Sequence, residues 1–237
     1  SMGKTKEIPP TAEELAILKA EPLNIFSPFI DIYKAVLEMP TVMWQLFLVY
    51  LFQWYAMMCY WQNNSKSIAL SVWNVTPKDV MGYEKAVEWN GLMGAFGFIV
   101  TFSIAFYLAK LAKKHGAKMI HFACLLFGAI SFLWFPTIQN QYVFFAVIIG
   151  YGIAWASMMG IPYLMVVAVI PKERYGVYMG IINMMIVIPM IIQNLSFGYI
   201  LKNFLDNDPR QAISFAGVLL MLAAICTLLI KIKNTKV

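Results

Sequence analysis

The residues of this chain able to hold a polar ligand are amides and aromatics rather than acids, bases or nucleophiles. Gln53, Trp54, Tyr151, Trp155, Asn183 and Asn194 all stand inside long apolar runs, where an amide must find a partner or water. An amide donates and accepts at once, and an aromatic face stacks on the apolar CH patches of a pyranose. The set therefore suits an uncharged polyol such as a sugar. Helical spacing sorts these residues into stripes. Tyr50, Gln53, Trp54, Met57 and Trp61 share one face, and Phe144, Tyr151, Trp155, Met158 and Pro162 share another. A third stripe carries Gly176, Gly180, Asn183, Val187, Met190 and Asn194. Packing or lipid contact competes with ligand binding at each aromatic position; the competition is weaker at Asn183, because an amide in hydrocarbon seeks a partner.

Other chemistries are excluded. No apolar run has an Asp, Glu, Lys or Arg in its interior, so an intramembrane ion pair, proton relay or voltage sensor has no residues to use. His115 and His121 lack metal-ligand company, and Cys59, Cys124 and Cys226 lie in three different runs with no metal or redox spacing. There is no glycine-rich phosphate loop, HExxH or GxSxG motif. The expectation is a protein that is not an enzyme and holds no cofactor or metal.

The elements that must position these residues are membrane spans. Hydrophobic residues make up 61% of the chain and charged residues 13%, which predicts an all-α polytopic membrane protein. Uncharged runs recur at about 42–61, 91–109, 119–135, 142–170, 177–201 and 212–230. Residues 40–237 read as a six-helix transmembrane domain. Residues 1–39 read as an expression scar (Ser1-Met2-Gly3), a cytoplasmic arm and a surface helix in PFIDIYKAVLEMP. The net charge of +6 is a topology signal rather than a nucleic-acid signal. Lys66, Lys78, Lys85, Lys202 and Arg210 fall on one side, and every other Lys and Arg falls on the side of the arm, the two tight turns and the tail. Both termini are expected in the cytoplasm, with the lipid bilayer of the cell (inner) membrane as the surrounding partner.

Glycine and proline mark where the spans could bend. Gly150, Gly152, Gly160 and Pro162 predict a kinked or partly unwound fourth run, and Pro189 a bend in the fifth. Gly176 and Gly180 suit a hinge or close packing, and Gly91, Gly94 and Gly97 suit packing. The polar connection after the first run contains SKSIALSVWNV, which could prolong the helix or lie along the interface.

Several segments resemble the C-terminal half of a major facilitator superfamily transporter, specifically the sucrose:proton symporter-like sugar transporters and the glycoside-pentoside-hexuronide type. GVYMGIINMMIVIPMIIQN resembles that family's eleventh helix, FIDIYKAVLEMPTVMWQLFLVYLFQWYAMMCYW the end of the central loop and the seventh, YEKAVEW the entry to the eighth, and GIAWASMMGIPYLMV the tenth. KLAKKHGAK is similar to the basic loop of the superfamily, with Lys113 or its neighbour where an acid is usual. The resemblance implies two inverted three-helix repeats, faintly echoed in NGLMG and YGVYMG. It also implies a sugar held between two six-helix halves by alternating access, with the proton-coupling carboxylate on the N-terminal half, so that spans one and four line the cavity and two and five contribute.

The expected function is thus the C-terminal half of a secondary active, proton-coupled transporter of a di- or oligosaccharide. Its partner would be the N-terminal six-helix half of the same transporter. Two alternatives stand beside it: a self-sufficient six-span protein whose second copy supplies the missing wall, and a non-transporting scaffold or sensor whose arm binds a soluble partner.

Overall fold

The computed structural model describes residues 27–171 and 174–231. The scar and most of the expected arm lie outside the described residues. The chain divides into two units, Ser1–Glu38 and Met39–Val237. In the first, helix α1 spans Ser27–Leu37 and exposes Ile30, Tyr33 and Leu37 along one stripe. This is the spacing of an amphipathic surface helix.

The second unit is built from six helices. They are α2 (Thr41–Ile68), α3 (Val80–His115), α4 (Ala117–Trp134), α5 (Phe144–Val167), α6 (Tyr175–Phe204) and α7 (Pro209–Leu228). All six are long and apolar enough to cross a membrane, and no strand occurs among the described residues. Three of the five gaps between spans carry a clear stop or start signal. Asp79 caps α3 by accepting from the Gly82 N–H at 3.1 Å. Gly116, at φ 88°, ends that helix where a Cβ would be strained. Asp206 and Asn207 make the left-handed turn before α7, and Asp208 with Pro209 starts it.

Two helices outrun the uncharged runs that forecast them. The first continues past Trp61 to Ile68 and then through a π-helical turn, Ala69–Trp73, so the polar connection prolongs the helix. α3 has 36 residues, about 54 Å at 1.5 Å per residue, against a hydrocarbon core of about 30 Å. Backbone hydrogen bonds carry both helices into polar sequence, because hydropathy marks the lipid boundary and not the helix end.

The packing follows a pseudo-twofold order. Along the unit the neighbours run α3, α5, α4, α7, α2, α6. Exchanging α2 with α5, α3 with α6 and α4 with α7 reproduces the same order reversed. The two repeats are three helices each, and an odd number of crossings turns the second copy over, so this is a six-helix bundle of two inverted three-helix repeats. α3 and α6 close the two ends of the series and bury the least surface.

Glycines set how closely the central helices approach. A Cβ on Gly152 would lie 2.9 Å from the Gly97 carbonyl oxygen, and one on Gly217 would lie 3.0 Å from the Leu133 backbone nitrogen. Two expectations change as a result. The fourth span stays helical through Gly150, Gly152, Gly160 and Pro162 rather than partly unwound, and Gly150 and Gly152 serve close approach. Of the three glycines opening the second span, only Gly97 meets a neighbour; Gly91 and Gly94 face open space.

Candidate functional site

The aromatic stripes of α2 and α5 meet. Trp155 is the hub: its ring lies 5.8 Å from Trp54 and 5.5 Å from Trp61, both edge-on, and stacks on Tyr151 with centroids 6.3 Å apart and planes 7° from parallel. Tyr151 continues to Tyr60 at 5.1 Å, and Tyr60 stacks on Phe132 of α4 at 4.5 Å. Trp54 and Trp61 are seven residues apart on α2 and Tyr151 and Trp155 four apart on α5, which puts each pair on one face, while Tyr60 lies about 100° round α2 from Trp61. The assembly is half open, since Trp61 is exposed and Trp155 partly so, while Trp54 and Tyr151 are buried. Partly exposed indole faces offer an apolar platform with polar edges.

The helix that supplies Trp54 and Trp61 also carries buried polar groups, with no charge among them. Gln53 is fully buried, and neither its oxygen nor its nitrogen has a hydrogen-bond partner among the described residues. The Tyr50 hydroxyl and Trp54 Nε1 are buried and unpartnered too. Four such atoms within five residues of one helix are costly, at about 1–3 kcal/mol for each buried polar group left unmade. A bound hydroxyl or water would relieve that cost.

A second polar cluster joins α2 to α6. Gln193, fully buried, donates from Nε2 to Gln62 Oε1 at 3.0 Å and accepts from Gln62 Nε2 at 3.4 Å. Gln62 also donates to Asn194 Oδ1 at 3.0 Å, and Asn194 donates to the Met190 carbonyl at 2.8 Å. Below it, Tyr55 and Ser196 share a hydroxyl hydrogen bond of 2.7 Å. A third polar contact lies between α4 and α5, where buried His121 Nδ1 and Ser157 Oγ are 2.8 Å apart.

The six residues expected to face a ligand therefore divide. Trp54, Tyr151 and Trp155 come together, and Gln53 lies beside them on α2 but fully buried. Asn194 belongs to the α2–α6 cluster. Asn183 is exposed on α6, eleven residues away and about 16 Å along the axis, and does not join either group. Gly176 and Gly180 are exposed, and a Cβ added at either would have nothing within 4 Å, so neighbour packing explains neither. Pro162 and Pro189 are buried inside unbroken helices.

Gln62, Gln193, Ser196 and the His121–Ser157 pair fall outside the set that the sequence singles out. Hydropathy ends the first span at Trp61 and so leaves Gln62 in a connection. Gln193 falls off the Gly176–Asn194 stripe, yet its side faces α2. The signal available is the repeated amide at adjacent positions, Gln193-Asn194, inside an uncharged span.

Comparison with known proteins adds one positive finding. The family model described as Major Facilitator Superfamily matches residues 4–194. No curated protein and no solved structure matches the chain.

Proposed function

Because this chain belongs to the major facilitator superfamily, whose members are membrane transporters, we propose that its six-helix unit is the C-terminal half of a secondary active sugar transporter. In this reading the α2–α5 aromatic platform receives one face of the sugar. The observation that carries it is the joining of Trp54, Trp61, Tyr151 and Trp155 around a single hub, next to an unpartnered, fully buried Gln53. The partly exposed indole faces of Trp61 and Trp155 take the CH face of a pyranose in this reading, while Gln53 and the Trp54 Nε1–H give hydroxyls an acceptor and two kinds of donor. No charge enters the membrane, which suits a neutral substrate.

The packing order supports an alternating-access mechanism in this reading. α2 and α5 are related by the pseudo-twofold, so a ligand between them touches equivalent positions of the two repeats. A second six-helix half would close the exposed side of the platform, and rocking of the halves would open it to each side of the membrane in turn. Proton coupling, in this reading, draws on a carboxylate of that other half. The termini lie in the cytoplasm, as the distribution of Lys and Arg favours.

The test is counterflow of a panel of labelled sugars in proteoliposomes holding the complete transporter that carries this unit. At least one di- or oligosaccharide should exchange, and Trp155→Ala should lower that exchange tenfold or more at normal expression. Exchange of no sugar, or full exchange with Trp155 removed, would overturn the reading.

A further inference from the structure

The far end of α3 carries a feature that lies outside the aromatic platform. On this helix Phe102, Phe106, Lys110 and Lys113 follow one another at intervals of three and four, so they form one continuous stripe about 16 Å long. Its upper part is aromatic: Phe102 and Phe106 are 70% and 68% exposed and touch edge-on at 5.6 Å. Tyr107, also exposed, stands beside them. The lower part is cationic, with Lys110, Lys113, Lys114 and His115 all exposed.

No carboxylate neighbours these cations along the chain, since the sequence holds no Asp or Glu between Glu88 and Glu173. The backbone carbonyls ending α3 carry about half a negative charge, well short of three ammonium groups. Lys118, at the start of α4, is turned away to the Leu228 carbonyl at 3.4 Å. The apolar part of α3 ends at Ala109, so the lysines stand at headgroup depth and the phenylalanines among acyl chains. Length, order and charge along the stripe match one phospholipid lying against the helix.

We propose that this stripe of α3 is a binding site for an anionic phospholipid, with the headgroup phosphate on Lys110, Lys113 and Lys114 and an acyl chain along Phe102 and Phe106. It rests on the membrane position of α3 and on this face meeting lipid rather than the second half proposed above, and it does not depend on the substrate being a sugar. The lysines carry the preference for an anionic headgroup, and the phenylalanines carry the preference for a lipid over a free anion.

The experiment is native mass spectrometry of the full chain released from nanodiscs of equal parts phosphatidylglycerol and phosphatidylcholine. Wild type should retain phosphatidylglycerol at least tenfold over phosphatidylcholine. K110Q/K113Q/K114Q should lose most of that preference, whereas K66Q/K202Q, changed at the opposite end of the bundle, should keep it. Equal retention of the two lipids by wild type, or an unchanged preference in the triple variant, would overturn the proposal. Loss of the preference in millimolar inorganic phosphate would also overturn it, by assigning the lysines to a free anion. Should the triple variant not fold, wild type in nanodiscs at rising salt decides. The preference must fall several-fold between about 0.05 and 0.5 M salt, and a salt-independent preference refutes the site.

Discussion

Replacing Gly152 by Ala tests how α3 is held to α5. A methyl at this position would lie 2.9 Å from the Gly97 carbonyl oxygen and 2.9 Å from both Cβ and Cγ1 of Val100, where ordinary contact starts near 3.4 Å. The two helices must separate by roughly half an ångström, which also stretches the 3.0 Å hydrogen bond from Thr101 Oγ1 to the Gly152 carbonyl. Overpacking of this kind costs about 1–3 kcal/mol. Alanine recovers about 1 kcal/mol of helix propensity over glycine, so the net loss should be up to about 2 kcal/mol. Gly180→Ala is the control, since nothing lies within 4 Å of its added methyl and only the propensity gain remains. Thermal unfolding in detergent, followed by the loss of the monodisperse peak, should place Gly152→Ala several degrees below wild type and Gly180→Ala at or above it. Adding Val100→Ala removes part of the crowding and should return part of the loss. If Gly152→Ala is as stable as wild type, or Gly180→Ala is the weaker of the two, the close-approach account is wrong.

Other expectations follow from named contacts. A double-mutant cycle on Gln62→Leu and Gln193→Leu should give a coupling energy of about 0.5–1.5 kcal/mol, within the range of polar pairs between membrane helices; additive effects would mean that the two amides do not pair. Ser157→Ala leaves the buried His121 Nδ1 without its partner and should cost about 1–2 kcal/mol in the same unfolding assay. Asp208→Ala removes the cap of α7, whose carboxylate accepts from the Arg210 N–H at 2.8 Å, and should cost about 1 kcal/mol. Burial pulls the Asp208 carboxyl upward, but the hydrogen bonds and charge of Arg210 outweigh it and hold the group below the usual range. A lowered native pKa means that this contribution is present at neutral pH and is lost as pH falls below about 4. Asp208→Ala should therefore flatten the acid limb of a stability-against-pH curve.

The order and number of spans are legible in the sequence because an uncharged run of membrane length has few other uses. The rings around Trp155 are legible in part: periodicity puts Tyr151 and Trp155 on one face and Trp54 and Trp61 on another, although no periodicity within one helix says that the two faces meet. Gly152 shows the limit. A glycine near a proline reads as a weak point of its own helix, whereas its use here depends on the Gly97 carbonyl of another helix. Gln193 escapes for a related reason. Its importance comes from Gln62, more than a hundred residues earlier, and a stripe drawn on α6 alone discards it. The arm of residues 1–26 lies outside the described residues.

The packing order has a consequence for how the protein is made. α2 has its largest contact with α7, the last of the six helices to be synthesised, and α2 holds buried Gln53, Asn63 and Ser67 on its surface. Some 140 residues separate the end of α2 at Ile68 from the start of α7 at Pro209. At about 5–20 residues per second, the ribosome needs on the order of 7–28 s to deliver that partner. Throughout that interval the face of α2 that meets α7 lacks that partner. Slowing translation just before α7 should therefore lengthen the exposure of that face and raise cleavage of nascent chains by membrane quality-control proteases.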